Sequence, residues 1–520
     1  MAVQTVEPDR RPAAASPGPE RRQVVSVLVI LALAFAMRLW ALSWGLPHRW
    51  SLDEANKRDA ALGGGLLPDL PGPQPGFLYN SLRVVYRVAE SIFPTLDNPD
   101  HIYIGRLFIA VLGVLTVLAV WMLARELADS DRPSPAIPAA LLLAVLPFHT
   151  AMSRYIKEDT PLGLMTGLVL LALVRYWKVP TWARLLLLGL AVGACFSTKF
   201  SAAAVLPVVG VAVLAVARRD GIRPKETIAR VCGLGGAAIV GVLLVSPQYL
   251  VDPGLLWEGF KFQVFYSQEG HHDGVIISPW SQWWTYYIRN GLIPGMTWPV
   301  FLLAIGGAVP LLRRPAGWTV VASALVFYLI LEESSAKPAP FPARYLTPVI
   351  PLLCVQAGFG IQAIRRRAAD MGKPVLALVA CALVFFVPPA VKSAMVADEA
   401  VHDTRWVAGA WMDTHLPPGT HIVLVDNHMY RPAAEGWGKH DIWKVEERGD
   451  TLDPSTSGDR PYFVLTSFRY QRYLDDPAAD PRRTAYYRAV MRYPLVKRFE
   501  PKWLSYGFHS PTILIYRPGP

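Results

Sequence analysis

The chain reads as a mainly α-helical, polytopic membrane protein that ends in a small α/β domain. Three observations predict this. Of 520 residues, 52% are apolar and only 18% charged, too few charges to cover a soluble protein of this length. The apolar residues also gather in runs long enough to cross a hydrocarbon core of ~30 Å. Finally, residues 398–520 carry sixteen Lys and Arg against sixteen Asp and Glu, so the whole net charge of +11 belongs to the apolar part. Basic residues flanking apolar runs set membrane orientation, and nothing in their placement points to a nucleic-acid partner.

Residues 1–23, rich in Pro, Ala and Arg, read as a disordered cytoplasmic arm. The run 24–44 is too long for a signal peptide and lacks a small-residue cleavage site, so it reads as the first span. Ten more follow at about 104–124, 136–152, 161–177, 183–198, 200–217, 229–247, 296–312, 317–332, 344–363 and 375–392. That makes about eleven transmembrane helices within a domain covering 24–397. Arg21/Arg22, Arg125/Arg132, Arg175/Lys178, Arg218/Arg219, Arg313/Arg314 and Arg365–Arg367 all fall at alternate ends, so one orientation satisfies the positive-inside rule. The N-terminus is then cytoplasmic. The loops 45–102 and 247–294, a short connection at 154–160 and the domain 398–520 lie outside. In the last, Thr404 to His415 has helical spacing and Pro417-Pro418-Gly419 marks a turn; His421–Val425, Tyr462–Thr466 and Thr512–Tyr516 alternate like strands. Cys195, Cys232, Cys354 and Cys381 lie in or beside apolar runs with no CxxC spacing, which argues against a disulfide scaffold or a zinc-thiolate site.

The outer side carries the chemistry-bearing residues. Ser51-Leu52-Asp53-Glu54-Ala55-Asn56-Lys57-Arg58-Asp59 puts paired carboxylates and paired cations at the membrane surface. The plain structural reading is a helix start, since Ser51 and Glu54 have capping-box spacing. Ser153-Arg154-Tyr155-Ile156-Lys157-Glu158-Asp159 forms a second cluster, with Asp159 placed as a helix N-cap before Pro161. Lys199, Arg344, Arg106 and Arg38 interrupt or open apolar runs. Singly, each reads as an interfacial anchor; together they suit a phosphate held at the membrane surface. The aromatic-rich 247–294 loop reads as an interfacial amphipathic helix, or alternatively as a surface for isoprenoid or sugar, and His271-His272-Asp273 within it as a solvated stretch.

The Asp53-Glu54 pair after the first span, Arg106-Leu107 opening the second, Ser153-Arg154 with Asp159 before the fourth, Thr198-Lys199-Phe200 after the fifth, and Arg344-Tyr345-Leu346 opening the tenth occur in an order that resembles GT-C membrane glycosyltransferases. The similarity is to the branch with protein O-mannosyltransferases and lipid A aminoarabinose transferases, over residues 24–365. The resemblance implies a GT-C-like fold and transfer of a sugar from a polyprenyl-phosphate carrier to a glycan, lipid or protein acceptor on the outer face. It also implies that Asp53 is the catalytic base, that Asp159 is the second-loop acid, and that Lys199 and Arg344 face the carrier phosphate. Glu54, Lys57, Arg58, Arg106 and Glu158 stand as supporting residues. One departure is Pro73-Gln74-Pro75-Gly76 where many relatives have His-Pro-Pro, so the sugar or acceptor pocket differs there.

The residues suit that chemistry. A polyprenyl phosphate is already a good leaving group, so the protein must orient and deprotonate a hydroxyl and stabilise charge growing on phosphate oxygens. A carboxylate facing the anomeric carbon, with phosphate anchored opposite, inverts the product. A divalent metal is left open but not favoured, because the outer loops contain no Asp-x-Asp triplet. The alternative is a transporter or lipid flippase, which would place its charges near the bilayer midplane rather than at one face. The Arg- and Ala-rich composition points to a bacterial plasma membrane.

Overall fold

The computed structural model describes residues 19–48, 50–70, 74–128, 134–269, 275–337, 342–424, 431–437, 443–447, 460–478, 480–503 and 509–519. Most of the predicted arm and the His271-His272-Asp273 stretch lie outside them. The structure is mainly helical. Helices overlap each predicted apolar segment, but several are short or broken. Pro147 divides Ala136–Val145 from Pro147–Met152, and a π-helical turn interrupts the stretch from Pro374 to Val401. Among the described residues, five helical stretches are long and apolar enough to cross a membrane: Asn98–Leu127, Asp159–Lys178, Phe200–Arg219, Pro224–Val245 and part of Pro374–His415. A sixth arises if Ile288–Met296 and Trp298–Leu312, bent by 99°, count as one span.

Periodicity decides where each helix sits. Val349–Gln362 is apolar or small nearly all round and is buried throughout, which makes it the central post of the core. Pro224–Val245 instead exposes Ile239 and Leu244, as a helix facing lipid does. Two glycines allow a close approach near the first helix. A Cβ on Gly105 would lie 2.6 Å from Ile156, and one on Gly113 would collide with the Ser153 hydroxyl and lie 2.8 Å from Arg38. Their bare backbone lets the Asn98–Leu127 helix touch the loop 153–158.

Five strands form one mixed sheet in the C-terminal part. In order across the sheet they are Trp443–Glu447, Thr420–Leu424, Tyr462–Thr466, Ile513–Tyr516 and Leu495–Phe499; the first three are parallel and the last two pair antiparallel. Helix Thr404–His415 packs on one face and helices Ser467–Asp475 and Pro481–Val490 on the other. This sheet is tied to the segments around Trp44 and Tyr155. The Trp44 indole donates to Asp403 (3.0 Å), and the Tyr155 hydroxyl is 3.0 Å from His509 Nδ1. The fully buried Asp403–Arg405 pair (2.8 Å) sits beneath Trp50, whose ring lies 4.1 Å from the Arg405 guanidinium.

Candidate functional site

The segment after the first apolar helix forms the helix Leu52–Leu62, built from good helix formers. Its charged residues fall on two faces, four residues apart in each case. Asp53 and Lys57 face a cavity of about 540 Å³, whereas Glu54 and Arg58 do not. Glu54 is taken by Arg106 in a two-point contact (2.9 and 2.7 Å) and also accepts from the Ile156 backbone N–H (3.0 Å). The capping box expected here is absent: the Glu54 carboxylate is engaged by Arg106 and Ile156, and Ser51 makes no side-chain cap. Arg106 goes on to the carbonyls of Leu42 and Trp44, so it is an internal brace and not an interfacial anchor. Arg38 is likewise fully buried, donating to the carbonyls of Ala34, Leu143 and Ala144.

The second wall is the loop between Met152 and Asp159. It is held at several points: Ser153 Oγ donates to the His149 carbonyl, Arg154 to Met37, and Ile156 N–H to Glu54. Glu158, not Asp159, occupies the N-cap position of the Asp159–Lys178 helix, and it makes no side-chain cap. The Asp159 carboxylate instead accepts from Lys199 Nζ at 2.6 Å. Lys199 closes the circuit from the start of the Phe200–Val205 turn and lies 4.3 Å from the Tyr345 ring centroid. Arg344, in the turn Pro342–Leu346, donates to the Tyr345 hydroxyl (3.0 Å). A fully buried Glu332–Lys337 pair steadies the approach to that turn, with Glu332 accepting from Tyr287 N–H and from the Tyr328 hydroxyl.

The cavity thus gathers three carboxylates, Asp53, Glu158 and Asp159, and four cations, Lys57, Lys157, Lys199 and Arg344. Each carboxylate has an ammonium partner: Asp53 with Lys157, Glu158 with Lys57, and Asp159 with Lys199. Among the described residues Arg344 has no carboxylate within ion-pair reach. One positive charge is left over. Burial opposes ionisation of Glu158, but Lys57 and Lys157 outweigh it and hold its carboxyl down to about 2. Lys157 goes the other way: burial, then the nearby Arg344, lowers its ammonium from 10.5 to about 7. The remaining wall is apolar, made by Phe200, Phe327 and Ile330 with Phe260 and Phe262 of the helix Gly254–Glu269. That helix also exposes Trp257 and Phe265. Polar groups on one side and aromatic rings on the other fit an amphiphile with an anionic head. Among the described residues no three His, Cys, Asp or Glu converge as metal ligands, and the cavity carboxylates are engaged by lysines.

Of the residues predicted from sequence, Asp53, Asp159, Lys199, Arg344, Lys57 and Glu158 line this one cavity, whereas Glu54, Arg58 and Arg106 stand behind it. Arg58 turns to Asp59 (2.8 Å from Nε). Lys157, Tyr345 and Gln74 line the cavity but were not among those predicted. The signal for Lys157 was its position in the run Lys157-Glu158-Asp159, where each side chain meets a different partner.

Comparison with known proteins adds a match to a family model over part of the chain, and a fold. Residues 97–249 match the family model described as dolichyl-phosphate-mannose-protein mannosyltransferase. The structure is similar to that of ArnT from Cupriavidus metallidurans bound to undecaprenyl phosphate, at 15% identity and a TM-score of 0.52, covering 97% of this chain and 100% of that one. It is also similar to the Archaeoglobus fulgidus oligosaccharyltransferase in the apo form (11% identity, TM-score 0.53, 96% of this chain and 76% of that one). The same archaeal enzyme in complex with an inhibitory peptide and a dolichol-phosphate matches at 11% identity and a TM-score of 0.53, over the same shares. No curated protein sequence matches the chain.

Proposed function

We propose that this chain, a membrane glycosyltransferase with the GT-C fold, moves a sugar from a polyprenyl-phosphate carrier to an acceptor hydroxyl on the outer face of the membrane, with inversion. The observation that carries the reading is the convergence, in one cavity, of Asp53, Asp159, Lys199 and Arg344 from four separate parts of the chain. Asp53 is the base. Its side chain is 49% exposed, which leaves it open to an incoming hydroxyl. Asp159 orients acceptor or base and is itself fixed by Lys199. Lys199 and Arg344 hold the phosphate, Arg344 by its fork and Lys199 as a point charge.

In the reaction the acceptor oxygen attacks the anomeric carbon while its proton passes to Asp53. The bond from that carbon to the phosphate oxygen breaks in line, and the electron pair leaves with the carrier as a phosphomonoester. Its second negative charge falls to Lys199 and Arg344, in a setting shielded from water on the aromatic side. The aromatic wall, open towards lipid, would take the first isoprene units.

In this reading the chain crosses a bacterial plasma membrane about eleven times, with residues 1–23 cytoplasmic and 398–520 outside; the acceptor is a glycan, lipid or protein. The test is Asp53→Asn in membranes supplied with a polyprenyl-phosphate sugar. Sugar transfer should fall to background at normal expression, and unchanged turnover would remove Asp53 from the chemistry.

A further inference from the structure

Asp53 is an odd base, because an ammonium already occupies it. Lys157 pairs with it, and so long as that pair stands the carboxylate is poorly placed to accept a proton from a hydroxyl. Lys157 itself is not a loose surface lysine. Its side chain is 11% exposed and springs from a loop pinned on both flanks, by Ile156 N–H on Glu54 and by Glu158 on Lys57. The groups around the cavity with it are Asp53 and Lys57 from the first-loop helix, Glu158 and Asp159 from its own loop, Lys199, and Arg344 with Tyr345. Lys57 and Lys199 are paired with Glu158 and Asp159, whereas Lys157 is paired with the carboxylate that the reaction must free.

We propose, building on the glycosyltransferase function, that Lys157 is a third phosphate contact and also the latch on the base: its ammonium holds the Asp53 carboxylate while the cavity is empty and passes to the carrier phosphate when the donor binds. Donor binding then frees the base, so the enzyme has no active base until a leaving group is in place. Charges balance through the step. A cavity with one uncompensated positive charge receives a phosphodiester with one negative charge. After transfer the phosphate carries two, and Asp53 carries the acceptor's proton. Burial, then the nearby Arg344, lowers the proton affinity of Lys157 to about 7, and an anionic phosphate beside it favours the ammonium again.

The test is a binding cycle on the detergent-solubilised full chain with polyprenyl phosphate as the probe. If Asp53 and the phosphate compete for Lys157, Asp53→Asn should bind the carrier several-fold more tightly than wild type while losing activity. Lys157→Met should bind it on the order of tenfold more weakly. In the Lys157→Met background, Asp53→Asn should no longer change the affinity. Asp53→Asn binding equal to or weaker than wild type, or an undiminished effect in the double variant, overturns the latch while leaving the enzyme reading intact. Should Lys157→Met fail to fold, the Asp53→Asn affinity decides alone. Wild-type protein that does not bind the carrier overturns both.

Discussion

Asp53 and Glu54 are adjacent carboxylates on one helix, and they have opposite fates. Glu54 is 1% exposed, forked by Arg106 and capped by a backbone N–H; Asp53 is half-exposed and held by a single lysine at the rim of a cavity. The difference is a matter of helix phase. A rotation of about 100° per residue puts one side chain against the Asn98–Leu127 helix and the next over the cavity. A buried, doubly bonded pair gives a rigid floor and no reactivity. An ion pair at a rim gives reactivity and adds little to stability.

That contrast can be broken or sharpened by experiment. The largest effect should come from Glu54→Ala, which strands the Arg106 guanidinium in the interior and should cost about 3–5 kcal/mol of stability, read by thermal unfolding in detergent. Asp53→Ala should cost no more than about 1 kcal/mol in the same measurement; equal losses would erase the distinction. Turnover should reverse the order, with Asp53→Asn losing about 10²–10⁴-fold, while folded Glu54→Gln stays within about tenfold. Arg344→Lys should raise the donor KM by about tenfold with a smaller change in kcat, because a point charge replaces a fork. A gentler probe is pH. Lys157 keeps its proton below about 7 and releases it above. The ratio of wild-type to Lys157→Met carrier affinity should therefore be largest near pH 6 and shrink towards 8.5. A ratio flat with pH would show that Lys157 does not meet the phosphate. Trp44→Phe, which deletes one hydrogen bond to Asp403, should cost only about 1 kcal/mol of thermal stability.

Much of the fold was legible because apolar runs and flanking arginines are strong, local signals. Helix Thr404–His415 and strand Tyr462–Thr466 were found with the bounds that the structure has. Strands Trp443–Glu447 and Leu495–Phe499 were missed because both lie at sheet edges, where charged side chains replace the buried alternation that marks a strand. At the site, residue type and order singled out Asp53, Asp159, Lys199 and Arg344, which the structure brings to one cavity. Which of Asp53, Glu54, Lys57 and Arg58 faces the cavity was not readable, since it depends on where Arg106 arrives from the next helix. The capping-box reading failed for the same reason: a tertiary partner outcompeted a local one.

The contact between Tyr155 and His509 bears on how the protein is made. The loop that carries three cavity residues leans on a side chain 354 positions later in the sequence. Every helix Asp159 and Lys199 belong to will have left the ribosome long before that support exists. A nascent chain, or one stopped before His509, can insert into the bilayer and still lack this brace, so activity should appear only once His509 is in place.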